Sequence, residues 1–123
     1  MKKQFLPLML LASAICSCSE KQPETTEPMI TKTEIQVENG LLTPEIMHRL
    51  GKVGDVQVSP NHAKILYGVS YTSIEQNKSN RELYLMNVDG SENVKITNTP
   101  KSESNARWIN DSQIIYMRSG KLY

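Results

Sequence analysis

An internal repeat of short β-rich segments restricts the fold of this chain more than any other feature of its sequence. Residues 58–67 are echoed by residues 108–116, one residue shorter, and the closing tyrosines of the two stretches lie 49 residues apart. A second echo, 39 residues apart, pairs residues 81–84 with residues 120–123. A period of about 40 to 50 residues indicates one supersecondary unit per repeat, with neighbouring units stacked on a shared core.

Turn residues divide the chain after residue 51 into short runs that predict strands. Pro60-Asn61, Asp89-Gly90 and Ser119-Gly120 stand between runs rich in apolar and β-branched residues. The predicted strands cover residues 55–59, 64–71, 82–88, 94–97, 105–108 and 113–118, and a further one starts at residue 121. Asp89-Gly90 should join the third and fourth strands, because both residues tolerate the positive φ of a two-residue hairpin turn.

The burial patterns of these runs predict a propeller blade. Residues 65–69 and 83–86 are almost continuously apolar, which indicates strands covered on both faces, whereas residues 94–97 alternate as a one-sided strand does. The polar residues 72–80 are predicted to form a long loop. We therefore predict an all-β fold, namely a partial β-propeller of about one and a half four-stranded blades.

A short helix is predicted before the first blade. Thr43 is a suitable N-cap, and Pro44 suits the first helical position. An early glutamate, Glu45, and a closing glycine, Gly51, complete a pattern of about two turns. His48 falls inside this helix without a second histidine, cysteine or paired carboxylate at a metal-ligand spacing, so we interpret it as a surface or packing residue.

Four motifs in the repeat resemble the TolB-like propeller repeat. They are Ser59-Pro60-Asn61-His62, Leu83-Tyr84, Asp89-Gly90-Ser91 and Ile96-Thr97. They match a pattern of Ser-Pro-Asp-Gly, a Leu-Tyr pair, Asp-Gly, and an apolar residue followed by threonine. The chain departs from this pattern at His62, where glycine is expected, and at residues 109–112, where Ile-Asn-Asp-Ser stands. Both departures keep turn-forming residues, so only the turn type is open.

The stretch from residue 41 to residue 123 also resembles a larger family. Residues 42–45 and 54–60 are similar to the start of the amino-terminal propeller in prolyl oligopeptidase family serine peptidases, within the acylaminoacyl-peptidase and dipeptidyl-peptidase branch. The resemblance implies that a missing carboxy-terminal α/β-hydrolase domain performs proteolysis, while this segment gates peptide access. Two alternatives remain open: a non-enzymatic TolB-like propeller lipoprotein that binds a protein or glycan in the periplasm, and a remnant without function.

The sequence carries no catalytic motif of its own. It lacks Gly-x-Ser-x-Gly, a phosphate loop, His-Glu-x-x-His and a zinc-type cysteine spacing. We therefore predict no catalytic, cofactor-binding or metal-binding residue, and we expect a peptide substrate only in the full-length protein. Trp108 is predicted to be a core residue between blades. Arg81-Glu82 is predicted to be an ordinary charge pair at the end of the polar loop.

The propeller segment is too short for a closed ring. Residues 41–123 number 83, under two units of about 40 to 45 residues, whereas propellers contain four to eight blades. Leu122-Tyr123 matches Leu83-Tyr84, after which the first unit continues its strand. We hypothesise that the fold is incomplete because the sequence is a truncated record, or comes from a broken gene, of a longer peptidase. Such a chain should be marginally stable or unfolded alone.

The amino terminus has the layout of a lipoprotein signal peptide. Lys2 and Lys3 precede an apolar stretch of about 11 residues, shorter than the 20 or so that span a bilayer. The segment Ile15-Cys16-Ser17-Cys18 resembles a lipobox, and it fits Cys18 better than Cys16 as the lipidated first residue of the mature chain.

Cleavage before Cys18 defines three regions: a signal peptide at 1–17, a lipidated terminus with a disordered linker at 18–40, and truncated propeller blades at 41–123. Loss of two lysines takes the formal charge from +1 to −1, and neither value indicates a nucleic-acid partner. We predict a membrane-anchored lipoprotein, and the resemblance implies the cell envelope of a Gram-negative bacterium. The alternative is a plain secretory signal with incidental cysteines.

Overall fold

The computed structural model describes residues 28–123, which form one short helix and seven strands. The elements are α1 (Pro44–Arg49), β1 (Lys52–Val58), β2 (Lys64–Ser73), β3 (Lys78–Asn87), β4 (Val94–Lys95), β5 (Glu103–Asn110), β6 (Gln113–Arg118) and β7 (Lys121–Leu122). The signal-peptide prediction and Cys18 lie outside the described residues.

The strands form two antiparallel sheets. The first has four strands in the order β1-β2-β3-β4, and the second has three in the order β5-β6-β7. The prediction of an all-β protein with a short leading helix is therefore confirmed. Between residues 28 and 123 the strands make two sheets and not a closed ring.

The helix starts as predicted but ends differently. The Ile46 amide donates to Thr43 Oγ1 at 3.3 Å, with Pro44 in the first turn. At the other end Leu50 is already extended (φ −62°, ψ 137°), so the helix has ended before the predicted closing glycine, Gly51. Gly51 is needed for space instead, because a Cβ there would lie 2.8 Å from Cε1 of Tyr71.

The predicted polar loop at residues 72–80 is wrong. β2 and β3 pair as far as Ser73 and Lys78, which leaves only residues 74–77 for the turn. Polar side chains support this pairing, since Thr72 Oγ1 and Ser79 Oγ lie 2.8 Å apart across the strands. Solvent-facing positions of a hairpin are often polar, so polarity alone did not separate strand from loop.

Arg81 and Glu82 therefore lie within β3 and not at the end of a loop. They do not form the predicted charge pair with each other: Arg81 pairs with Asp55, and Glu82 pairs with Lys95. Adjacent residues of a strand point to opposite faces, which separates the two side chains.

The connection between β3 and β4 has positive φ at Gly90 and Glu92, whereas the prediction placed positive φ at Asp89 and Gly90. Gly90 has φ 86°, and its amide donates to the Asn87 carbonyl at 2.9 Å. Asp89 instead accepts from the side chain and the backbone amide of Ser91, and these bonds lower the pKa of the Asp89 carboxyl. The position of the hairpin is confirmed, and its turn type is not.

The turn before β2 keeps the geometry of the resembled pattern without its glycine. His62 has φ 58°, the left-handed conformation that glycine adopts most easily, and its amide donates to the Ser59 carbonyl at 2.9 Å. Asn61 Oδ1 accepts from Ser59 Oγ and from the Ala63 amide. These bonds hold a non-glycine residue in a conformation that otherwise costs about 1 kcal/mol or more.

A β-bulge recurs at the same place in both sheets. The register of β1 against β2 shifts between Gly54 and Gln57, and that of β5 against β6 shifts between Ser104 and Arg107. The first residue inside each bulge is left-handed: Asp55 has φ 51° and Asn105 has φ 52°. The sequence repeat is therefore also a repeat of backbone conformation, which the sequence analysis did not predict.

The apolar core lies between the two sheets. Leu66 and Leu83 of the first sheet are buried against Ala106 of the second. Partly buried Leu85, Trp108, Ile114 and Tyr116 pack around them. The prediction that Trp108 is a core residue between the repeats is confirmed.

Candidate functional site

Two glutamates are buried where the sheets meet. Glu82 lies in β3 and Glu103 begins β5, and both side chains are almost completely inaccessible. Charged residues are rarely buried unless they are paired, so this position needs an explanation. We call Glu82, Glu103, Thr97, Thr99, Asn80, Lys95 and Arg118 the acid cluster.

Thr97 connects the two carboxylates. Its Oγ1 lies 2.7 Å from Glu82 Oε2 and 3.0 Å from Glu103 Oε2. The Leu83 amide donates to the same oxygen at 2.8 Å. Because β4 stops at Lys95, the chain turns Thr97 inward, where it links a residue of the first sheet to a residue of the second.

Two cations balance the two carboxylates. Arg118 Nε lies 2.9 Å from Glu103 Oε1, and Lys95 Nζ lies 3.4 Å from Glu82 Oε1. The Arg118 guanidinium also lies 4.4 Å from the ring centroid of Tyr123. Burial lowers the pKa of Arg118, but Tyr116 and Glu103 raise it by more, so the pKa lies above its ordinary value. Arg118 therefore remains a cation beside Glu103.

Thr99 and Asn80 supply the remaining hydrogen bonds to the carboxylates. The Thr99 amide donates to Glu82 Oε1 at 3.0 Å, and its hydroxyl donates to Glu103 Oε1 at 2.9 Å. Asn80 Nδ2 donates to Glu82 Oε1 at 3.3 Å. Because protein groups surround the carboxylates and exclude solvent, they are suited to joining the sheets and not to exchanging protons with a substrate.

Arg81 is a partly buried charged residue on the inner side of the first sheet. Its Nη2 lies 2.8 Å from Asp55 Oδ2, but neither Nη2 nor Nε has a hydrogen-bond partner of suitable geometry. Gly68 makes room for this guanidinium, because a Cβ there would lie 2.6 Å from Nη2. Arg81 therefore fixes the bulge residue Asp55 against the middle strands.

A shallow cleft of about 380 Å³ lies between α1 and the tip of the β2–β3 hairpin. Its lining residues are Pro44, Glu45, His48, Thr72, Ser73, Ile74 and Asn77. His48 is exposed at its edge, as the sequence predicted for a surface residue. Among residues 28–123 there is no group of three or more histidine, cysteine, aspartate or glutamate side chains arranged to hold a metal ion.

The sequence analysis did not identify the acid cluster. Its members span residues 80–118, and their proximity depends on the packing of two sheets. One signal was available: in the aligned repeats, the Glu103–Arg118 pair of the second sheet replaces the Val53–Val69 pair of the first. Two opposite charges at positions that are apolar in the sister repeat indicate a buried ion pair.

No helix among residues 28–123 is long and apolar enough to cross a bilayer. The described part of the chain is thus a mostly-β unit of two repeated antiparallel sheets, with a closed polar cluster and a shallow cleft.

Comparison with known proteins relates this unit to a peptidase. The chain is 35% identical over 80 residues to Dipeptidyl-peptidase 5 of Porphyromonas gingivalis. The matched residues are 65% of this chain and 12% of that protein. It is 31% identical over 83 residues to Dipeptidyl-peptidase 5 of Porphyromonas endodontalis. These residues are 68% of this chain and 12% of that protein. No protein-family model and no solved structure matches the chain. The chain is therefore a peptidase-related protein that spans about one eighth of the length of these relatives.

Proposed function

We propose that the chain is the amino-terminal propeller segment of a secreted, lipid-anchored serine peptidase. In this role it gates the access of peptides and carries no catalytic group. The observation that carries the proposal is the similarity of 80 to 83 residues of the chain to two dipeptidyl-peptidases, together with the two repeated sheets of the structure. Each sheet is then one blade, and the acid cluster joins adjacent blades.

The geometry supports a role in access and not in bond cleavage. The carboxylates of Glu82 and Glu103 are almost completely buried among protein groups, so no substrate atom reaches them. The cleft beside α1 is shallow, and its lining surface is mostly apolar. Such a segment contributes walls and contacts to a larger site, and a separate hydrolase domain supplies the nucleophile.

Membrane attachment is part of the proposal. The lipobox-like segment Ile15-Cys16-Ser17-Cys18 supports lipidation at Cys18, and the polar residues after it support a tether to the blades. Several acyl chains on one residue give stable anchoring, because each buried methylene contributes about 0.8 kcal/mol. The peptidase would then act at the cell envelope.

An exchange of segments tests the proposal. Residues 41–123 replace the matched 80-residue stretch of the P. gingivalis dipeptidyl-peptidase, and release of dipeptides from chromogenic and longer peptides is measured. We expect kcat to stay within about tenfold of the value for the unmodified enzyme, because no catalytic group is exchanged. A tenfold change in kcat corresponds to about 1.4 kcal/mol in the activation free energy. Changes should appear mainly in KM for longer peptides, because the exchanged segment controls access.

Matched variants of this chimera separate folding from function. Leu83→Asp places a charge in the core between the sheets and should abolish activity, whereas Val88→Asp in the exposed β3–β4 connection should leave it intact. A folded chimera without peptidase activity would contradict the proposal and favour a non-enzymatic propeller lipoprotein.

A further inference from the structure

The direction of the strands assigns each connection between them to one of two ends of the sheets. β1 runs from Lys52 to Val58, and its antiparallel neighbours β2, β3 and β4 then alternate in direction. The start of β1, the β2–β3 turn and the end of β4 therefore lie together, at what we call the entry end. The β1–β2 and β3–β4 connections lie at the opposite end, which we call the far end.

The second sheet has the same orientation as the first. Glu103 begins β5, and its Oε2 lies 3.0 Å from Oγ1 of Thr97, which follows the end of β4. At the far end the Asn61 amide donates to Asp111 Oδ1 at 2.8 Å, and this bond joins the β1–β2 turn to the β5–β6 turn. The chain thus completes the first sheet and begins the second sheet at the same end.

Four antiparallel strands return the chain to the end from which it started. The first sheet consists of four consecutive strands in the order β1-β2-β3-β4. When every blade is built in this way, a propeller with any number of blades receives and releases the chain at its entry end. A domain that follows such a propeller in sequence is therefore attached at that end.

We infer that the hydrolase domain of the proposed peptidase docks on the entry end, over α1 and the tip of the β2–β3 hairpin. This inference rests on the proposed function, in which such a domain follows the propeller. Strand direction selects the end, and the cleft between α1 and the hairpin tip supplies a surface there. The far end then faces away from the hydrolase domain.

The entry end offers apolar surface to such a partner. α1 buries none of its residues, although a helix of six residues is too short to be stable by itself. Met47 of α1 is 54% exposed, and Ile74 at the hairpin tip is 46% exposed. Ile74 also lines the cleft, whose surface is mostly apolar. Apolar surface that is grouped in this way is typical of a site of protein contact.

Thiol labelling of the full-length chimera with the P. gingivalis dipeptidyl-peptidase tests the inference. Ile74→Cys places a thiol at the entry end, and Val88→Cys places one at the far end, at positions that are 46% and 52% exposed in the structure. Peptide mass spectrometry measures the rate of maleimide modification at each site. Ile74→Cys should react at least about tenfold more slowly than Val88→Cys, because a covered thiol reacts only when the contact opens.

Two controls keep the labelling rates interpretable. In urea the two thiols should react at equal rates, which shows that their intrinsic reactivities match. Circular dichroism checks that both chimera variants are folded. Equal rates in the folded variants, or slower labelling at Val88→Cys than at Ile74→Cys, would overturn the inference.

The inference and the proposed function can fail separately. Dipeptide release is measured on the chimera without added cysteines. An active chimera whose two sites label equally fast would overturn the inference and leave the proposed function in place. A folded but inactive chimera would contradict the proposed function, whereas slow labelling confined to Ile74→Cys would still support docking at the entry end.

Discussion

Cys18 is the residue on which the proposed attachment to a membrane depends. Its place at the end of a lipobox-like segment predicts acylation, and Cys16, preceded by Ile15, fits the pattern poorly. Cys18→Ser should abolish incorporation of labelled palmitate and release the chain into the soluble fraction. Cys16→Ser is the matched control and should keep both the label and the membrane fraction. Label that persists in Cys18→Ser would show that the lipid is carried elsewhere or that the signal is processed differently.

Gly68 is required by the side chain that lies over it and not by its own backbone. A Cβ at this position would lie 2.8 Å from Cζ of Arg81, whose guanidinium contacts Asp55. Gly68→Ala should therefore lower the free energy of unfolding by about 1 to 3 kcal/mol through overpacking.

The combined variant distinguishes this mechanism from a general intolerance of strand substitutions. Arg81→Ala removes the atoms that the new methyl group meets, so Gly68→Ala should cost little in that background. Urea unfolding of the two single variants and the double variant gives the coupling directly. Additive effects would mean that Gly68 is needed for another reason.

At the scale of elements, the acid cluster holds β5 and β6 against the first sheet. Arg118→Met leaves the carboxylate of Glu103 buried without its cation, which should cost about 2 to 4 kcal/mol. We expect the loss of stability to lie in the lower part of this range, since about a quarter of the Arg118 side chain is exposed. Urea unfolding at one fixed protein concentration measures the loss.

The first sheet provides the matched control for this pair. Glu103→Val with Arg118→Val recreates the Val53–Val69 pair, and the double variant should be more stable than Arg118→Met. In this double variant the hydroxyls of Thr97 and Thr99 still have hydrogen-bond acceptors, namely Glu82 for Thr97 and the Lys101 carbonyl for Thr99. A double variant as unstable as the single one would show that the charges themselves, and not only their pairing, hold the sheets together.

Some elements followed from the sequence because their causes are local. The start of α1 depends on Thr43 and Pro44, and the β3–β4 hairpin depends on the turn residues that end at Gly90. The extension of β2 and β3 through residues 72–80 was missed, because cross-strand pairing and not composition decides where a polar hairpin turns.

At the scale of the whole molecule, the chain has a small core and large uncovered faces. Among residues 28–123, the buried apolar side chains are Leu66, Val69, Leu83 and Ala106, while sixteen large apolar residues are exposed. A core of this size offsets little of the conformational entropy lost on folding. The expectation of marginal stability alone stays a prediction, and a further blade packed on either sheet would add the missing burial.

The sequence by itself determined the order of strands, the leading helix, the repeat and the absence of a catalytic motif, since these depend on residues close together in the chain. Only the tertiary structure decided that Glu82, Thr97 and Glu103 meet, that both repeats carry the same bulge, and which faces remain uncovered. These contacts join different strands and sheets, so they exist only after the sheets have formed and packed. Register and face pairing, and not local propensity, fix them.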